Sequence, residues 1–204
     1  MRYTPIRVLA IPGSLRRDSY NRALLGVAAS VAPEWMEVEV YDDLGEVPLF
    51  NGDVADSGLP DGVAALRHAI AACDAVMIAT PEYNQAVLGV VKNMIDWLSM
   101  GDPPESLEHK PVAVTGVTTG PWGTRLAQIM LRQMLLSCGA ILLPQPFLYL
   151  RGAEALFDPS GHLSDDKVRI RLAEFVIALG EWAELLGGAG VGSDQEHPGP
   201  ALAC

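Results

Sequence analysis

Cysteine is scarce, and no pair of thiols is spaced for a shared task. Cys73, Cys138 and Cys204 are odd in number and widely separated, and no C-x-x-C occurs. This excludes a disulfide framework and a zinc site and fits a reducing compartment, so the expected location is the cytoplasm. Cys204 is the last residue and cannot be the prenylated cysteine of a C-a-a-X signal. Histidine is equally thin: His68, His109, His162 and His197 fall one to a region, without metal-ligand spacing, and no metal is expected. Apolar runs near the start are strand-sized, too short for a signal peptide or a membrane span. Basic residues are few as well. With 14 Lys and Arg against 25 Asp and Glu the net charge is −11, which argues against a nucleic-acid or anionic-membrane partner.

Three nucleotide and hydrolase fingerprints are also missing. Without G-x-G-x-x-G a dinucleotide pyrophosphate held in the Rossmann manner is not expected. Without G-x-x-x-x-G-K-[ST] there is no P-loop, and without G-x-S-x-G there is no hydrolase elbow.

What is present is an ordinary globular balance, 50% apolar and 19% charged, in 204 residues undivided by repeats or proline-rich segments. A single domain over residues 1–186 is expected, with a disordered Gly- and Pro-rich tail at 187–204. Residues 7–11 form an apolar run ended by Pro12-Gly13-Ser14, which reads as a buried strand and a turn. An amphipathic helix follows over 21–32, and residues 36–40 alternate as a second strand. Residues 42–60 read as a long turn-rich connection carrying Val47-Pro48-Leu49-Phe50, and Asp61 as the cap of a helix over 63–72.

Residues 75–79 are wholly apolar, a central strand. Helical spacing returns over 87–100, with Val87, Val90, Val91, Met94, Ile95 and Leu98 on one side and Lys92-Asp96 on the other. A fourth strand spans 111–117, and a helix runs from 123 or 124 to 136. A fifth strand at 141–143 is interrupted by Pro144 and Pro146 and can resume at 147–150, and the last helix covers 165–186. Strands apolar on both faces and alternating with helices predict an α/β three-layer sandwich, a five-stranded parallel sheet of flavodoxin-like order 2-1-3-4-5. Ligands of such sheets lie outside the carboxyl ends of the strands, where the winding reverses.

Three polar loops fall at that end. The first, GSLRRDSYN at 13–21, offers the Ser14 and Ser19 hydroxyls, the Asn21 amide, Arg16 and the N–H groups of a helix start, the parts of a cradle for a terminal monophosphate. Arg16, Arg17 and Arg22 read equally as a site for a small anion or as three solvated cations, and Ser19 alone could be a helix cap. The second loop, Pro81 to Asn84, can set backbone groups and Asn84 against the edge of a flat heterocycle, with Tyr83 against it or over it. Glu82 reads as a capping or turn carboxylate ahead of an acid–base group. The third, VTTGPWG at 117–123, brings small hydroxyl residues and two glycines, with Trp122 either a wall or a core residue.

GSLRRDSYN, PEYNQAVLGVVKNMIDWLS and RLAQIMLRQML together resemble the NADPH-dependent FMN reductase family, flavodoxin-like flavoproteins that include quinone, chromate and azo-dye reductases. The resemblance runs in order from the first strand to about Leu143. It implies FMN, with its phosphate on the first loop at Ser14, Leu15, Arg16, Ser19, Tyr20 and Asn21. It puts the isoalloxazine ring beside Pro81, Glu82, Tyr83 and Asn84, with Val117, Thr118, Thr119 and Gly120 completing the site. It further implies NADPH or NADH as donor, a ping-pong reaction with a small acceptor, no obligatory catalytic side chain, and a homodimer or homotetramer. The helix after Asn84 then packs on a partner as well as on its own sheet, or on its own sheet alone. Where family members commonly carry a serine and a proline after P-E-Y-N, this chain has Gln85, Ala86, Val87 and Leu88. An electron carrier that binds FMN without oxidising NAD(P)H, and a reductase that releases reduced flavin, are the rival expectations.

Overall fold

The computed structural model describes residues 4–100, 106–158 and 160–189. Strand β1 (Ile6–Pro12) pairs in parallel with β2 (Met36–Val40) on one side and β3 (Ala75–Ala79) on the other, and β3 pairs with β4 (Pro111–Thr118). Along the far edge of β4 lie two short strands end to end, β5 (Ile141–Leu142) on Pro111 and Val112, and β6 (Leu148–Arg151) on Thr115 to Thr118. The order is β2-β1-β3-β4-β5, as expected for a flavodoxin-like sheet, with β6 attached. The break between β5 and β6 holds Pro144 and Pro146, which lack the N–H a ladder needs.

Side chains of β1 and β3 alternate between two separate cores. Ile6, Val8, Ala10, Met77 and Ala79 pack under α1 (Tyr20–Val31) and α7 (Asp166–Ala189). Leu9, Ile11, Val76 and Ile78 pack under α3 (Asp61–Ala71), α4 (Gly89–Leu98) and α5 (Arg125–Ser137). A parallel sheet buried on both faces needs this alternation of two apolar sets.

Several local expectations change. The turn-rich connection at 42–60 holds a 3-10 turn at Asp43–Glu46 and a helix not expected from its sequence, α2 (Gly52–Ser57). It is pinned to α4, where Asn93 accepts from Phe50 N (2.7 Å) and donates to the Pro48 carbonyl, which Trp97 Nε1 also reaches at 2.8 Å. Phe50 meets the Trp97 ring edge-on at 5.0 Å. Asp61 is the first residue of α3, whose N-cap is Pro60 without a side-chain bond, so it acts as a first-turn charge. α4 begins two residues later than its apolar spacing implies, and Val87 and Val90 pack on the core of their own sheet. A short helix, α6 (Ala153–Leu156), follows β6, too brief to leave a periodic signal. α7 continues to Ala189, three residues beyond the expected boundary, and the rest of the 187–204 tail lies outside the described residues.

Cys73 and Cys138 are both buried. Burial pushes the Cys73 thiol up, and nearby Lys110 draws it only part of the way back, which suppresses its thiolate chemistry. No helix among the described residues is long and apolar enough to cross a membrane.

Helix α5 starts in an unusual way. Thr124 at its N-cap is left-handed (φ 59°) and makes no side-chain capping bond. Glu82, from the loop after β3, supplies the cap instead: its Oε2 accepts from Leu126 N at 2.8 Å and Ala127 N at 3.0 Å. The expected capping role is therefore the one Glu82 performs, and it ties the second loop to α5. Glu82→Ala should lower stability by about 1–2 kcal/mol, read from the urea midpoint at unchanged m value.

Candidate functional site

β1 and β3 are neighbours, yet the helices leaving them diverge, α1 to one face and α4 to the other. A crevice therefore opens at their carboxyl ends. The loops leaving β1, β3 and β4 meet there. Gly13 N donates to the Ala79 carbonyl at 2.8 Å, and Thr80 N to that of Thr115 at 3.0 Å. A Cβ on Gly13 would stand 2.6 Å from Val91 Cγ2, and one on Gly116 would strike the Thr80 carbonyl oxygen, so glycine lets the first loop lie against α4 and β4 against the end of β3.

In the first loop Ser14 Oγ accepts from Arg16 N at 3.3 Å, folding the chain back at its start. Ser19 caps α1, accepting from Arg22 N at 3.4 Å, so part of its acceptor capacity is used while its O–H stays available. Tyr20 and Asn21 open the helix, and their N–H groups have no acceptor within it. The Asn21 side chain is committed elsewhere: Nδ2 donates to the Val117 carbonyl (3.0 Å) while Oδ1 accepts from Val117 N (2.9 Å). This buried pair locks the first loop to the third. It leaves the Asn21 backbone N–H, rather than its side-chain amide, as the donor without a partner among the described residues. Of the three arginines, Arg16 lines the cleft, whereas Arg22 turns away to Asp42 at 2.5 Å.

The second loop is a tight hairpin. Tyr83 and Ala86 exchange N–H···O bonds of 3.3 and 3.0 Å, and the residues between them, Asn84 (φ 52°) and Gln85 (φ 61°), are both left-handed. Two such residues in a two-residue loop make a type I′ turn, in which asparagine is favoured first and glycine second. Gln85 thus stands in a position that suits glycine. The turn presents Tyr83, 53% exposed, beside the cleft. In the third loop Thr118 Oγ1 accepts from Gly120 N at 3.3 Å, and Trp122, 67% exposed, belongs to no core.

The cleft between the loops, about 140 Å³, is lined by Ser14, Arg16, Ser19, Tyr20, Asn21, Pro81, Glu82, Tyr83, Val117, Thr118 and Thr119. Leu15, Asn84 and Gly120 do not line it: Leu15 projects outward near Gly45, and Asn84 is spent on the turn. Asp18, which the sequence reading passed over, joins the lining. Its signal was only its place inside a loop otherwise read for donors. The arrangement offers hydroxyls, a guanidinium and two helix-start N–H groups at one end, and an exposed phenol with open loop backbone at the other.

Gln85→Gly should stabilise the protein by about 1 kcal/mol, because it removes a left-handed side chain from the turn. A rise in the urea midpoint is the expected reading, and a fall would mean that the Gln85 side chain holds the hairpin.

The NADPH-dependent FMN reductase family matches residues 6–155. An NAD(P)H-dependent FMN reductase of Pseudomonas aeruginosa is 42% identical over 184 residues, 90% of this chain and 98% of its own. A 2-hydroxy-1,4-benzoquinone reductase of a Burkholderia species is 34% identical over 177 residues, 87% of this chain and 96% of its own. Among solved structures, the flavoenzyme NAD(P)H:(acceptor) oxidoreductase of Paracoccus denitrificans superposes with a TM-score of 0.80 at 33% identity, covering 88% of this chain and 98% of that one. With sheet order, loop placement and sequence in agreement, the chain belongs to the NADPH-dependent FMN reductase family.

Proposed function

We propose that this chain is an oxidoreductase that holds FMN in the three-loop cleft, takes electrons from NADPH or NADH, and passes them to a small quinone-like acceptor by a ping-pong mechanism. The observation that carries the reading is the donor-lined cleft at the point where the winding of the sheet reverses. Its donor set fits a terminal phosphate: Ser14 and Ser19 hydroxyls, the Arg16 guanidinium and the free N–H groups of Tyr20 and Asn21, at the positive end of the α1 dipole.

Bound FMN supplies the two-electron chemistry between donor and acceptor. The chain's own residues bind and orient. Pro81, Tyr83, Thr118 and Thr119 line the cleft and would hold the flat ring, and the Asn21–Val117 bonds tie the first loop to the third. Glu82 has both capping bonds to make and holds α5 rather than moving a proton. The likeness to a benzoquinone reductase supports a quinone-type acceptor.

A second copy of the chain is the proposed partner. α5 leaves Leu126, Ile129, Met130 and Leu136 exposed along one stripe, an apolar surface that a homodimer or homotetramer would cover. The cytoplasm is the proposed location, and no nucleic acid or membrane is needed.

The purified protein should be yellow, and NADPH should bleach it without oxygen while an added quinone restores the colour. Bound flavin with no response to NADPH or NADH would favour an electron carrier, and flavin lost on gel filtration yet reduced in solution would favour flavin as a released product. Arg16→Ala with Ser19→Ala should strip FMN from the protein; a double variant with a full complement of flavin would overturn the phosphate assignment. Light scattering should give a dimer or tetramer mass, and a monomer would leave the α5 stripe without that partner.

A further inference from the structure

A second groove, of about 300 Å³, opens beside the cleft. Its walls are Trp122 from the third loop, Arg125 from the start of α5, Tyr149 and Arg151 from β6, and Arg171 from α7. Three guanidiniums converge on one surface of a chain whose net charge is −11. None of the three forms an ion pair with a described residue; Arg125 lies over the Tyr149 ring at 5.0 Å, and Arg151 and Arg171 are exposed. Unpaired like charges in one groove repel each other, and an anion relieves them.

The groove continues the cleft. Arg151 is paired in register with Thr118, which lines the cleft, so the two side chains belong to adjacent strands about 4.8 Å apart. The third loop supplies Thr118 and Thr119 to the cleft and Pro121, Trp122 and Gly123 to the groove. A ligand seated in the groove can thus reach the mouth of the cleft. Trp122 and Tyr149 offer flat faces for an aromatic ring, and the guanidiniums match a phosphate dianion. An uncharged quinone uses none of these cations, whereas a phosphorylated dinucleotide uses the whole set.

We propose that this groove holds the phosphorylated adenosine end of NADPH, with Arg151 and Arg171 selecting its 2′-phosphate, while the nicotinamide end reaches the flavin cleft. The assignment rests on the oxidoreductase reading above and deepens it: the donor is NADPH in preference to NADH.

The test uses the flavin-loaded protein, so that the cleft is already filled. Calorimetry with adenosine 2′,5′-bisphosphate should give binding that adenosine 5′-monophosphate does not match, and Arg151→Gln with Arg171→Gln should weaken it about tenfold or more. In steady state the same double variant should raise KM for NADPH about tenfold relative to KM for NADH, with flavin content unchanged. Unaltered binding of the bisphosphate and an unaltered KM ratio would overturn the proposal, even where NADPH still bleaches the flavin. A wild-type protein that neither donor reduces would fail the oxidoreductase reading instead. If the variant raised KM for a sulfonated naphthoquinone and not for NADPH, the groove would be an acceptor site and the proposal would fall. Should the double variant lose flavin or fold poorly, the single variants, each expected to shift the same ratio in the same direction, decide the matter.

Discussion

A parallel sheet covered on both faces has only its strand ends to offer a ligand, and everything functional in this protein follows from that constraint. β1, β3 and β4 are buried almost throughout, so their backbone and side chains are consumed by pairing and packing. The loops that leave them carry the free donors. Those loops are held as one surface by a few contacts: Asn21 closing both backbone groups of Val117, Gly13 lying too close to α4 and Gly116 too close to the end of β3 for a side chain, and Glu82 spanning from the loop after β3 to the start of α5. Remove the sheet and the residues of the cleft are three unrelated segments.

Charge is distributed with the same economy. The chain is strongly acidic, yet three of its arginines, Arg125, Arg151 and Arg171, line one groove where the sheet ends, and Arg16 lines the cleft beside it together with Asp18 and Glu82. Lys92, out on the exposed side of α4, is paired with Asp96 and contributes only a few tenths of a kcal/mol. A local positive field on a negative body draws small anions while repelling polyanionic surfaces. That pattern suits a phosphorylated cofactor and a phosphorylated donor better than a nucleic acid.

Much of the fold was legible because burial leaves periodic marks. The wholly apolar run at Ala75–Ala79 is a strand buried on both faces, and the 3.6-residue spacing of Val91, Met94, Ile95 and Leu98 is a helix resting on one. Loops without periodicity were less readable. The segment carrying Val47-Pro48-Leu49-Phe50 read only as a turn-rich connection because its order comes from Asn93 and Trp97, far along the chain. α6 and the 3-10 turn are too short to repeat a pattern.

The sequence by itself determined the class of fold, the order of its strands, the three loops at one end, and the capping character of Glu82, because each rests on local spacing or on residue chemistry. Only the tertiary structure decided which side chains are free. Asn21 has the chemistry of a phosphate ligand but its side chain is consumed by Val117, and that of Arg22 by Asp42, while the left-handed turn carries Asn84 away from the cleft lining. Arg151 and Arg171, twenty residues apart in an unremarked stretch, share a groove because β6 lies against β4 and α7 folds back over it. Hydrogen-bond capacity is finite and pairing is long-range, so availability is a property of the folded chain rather than of its letters.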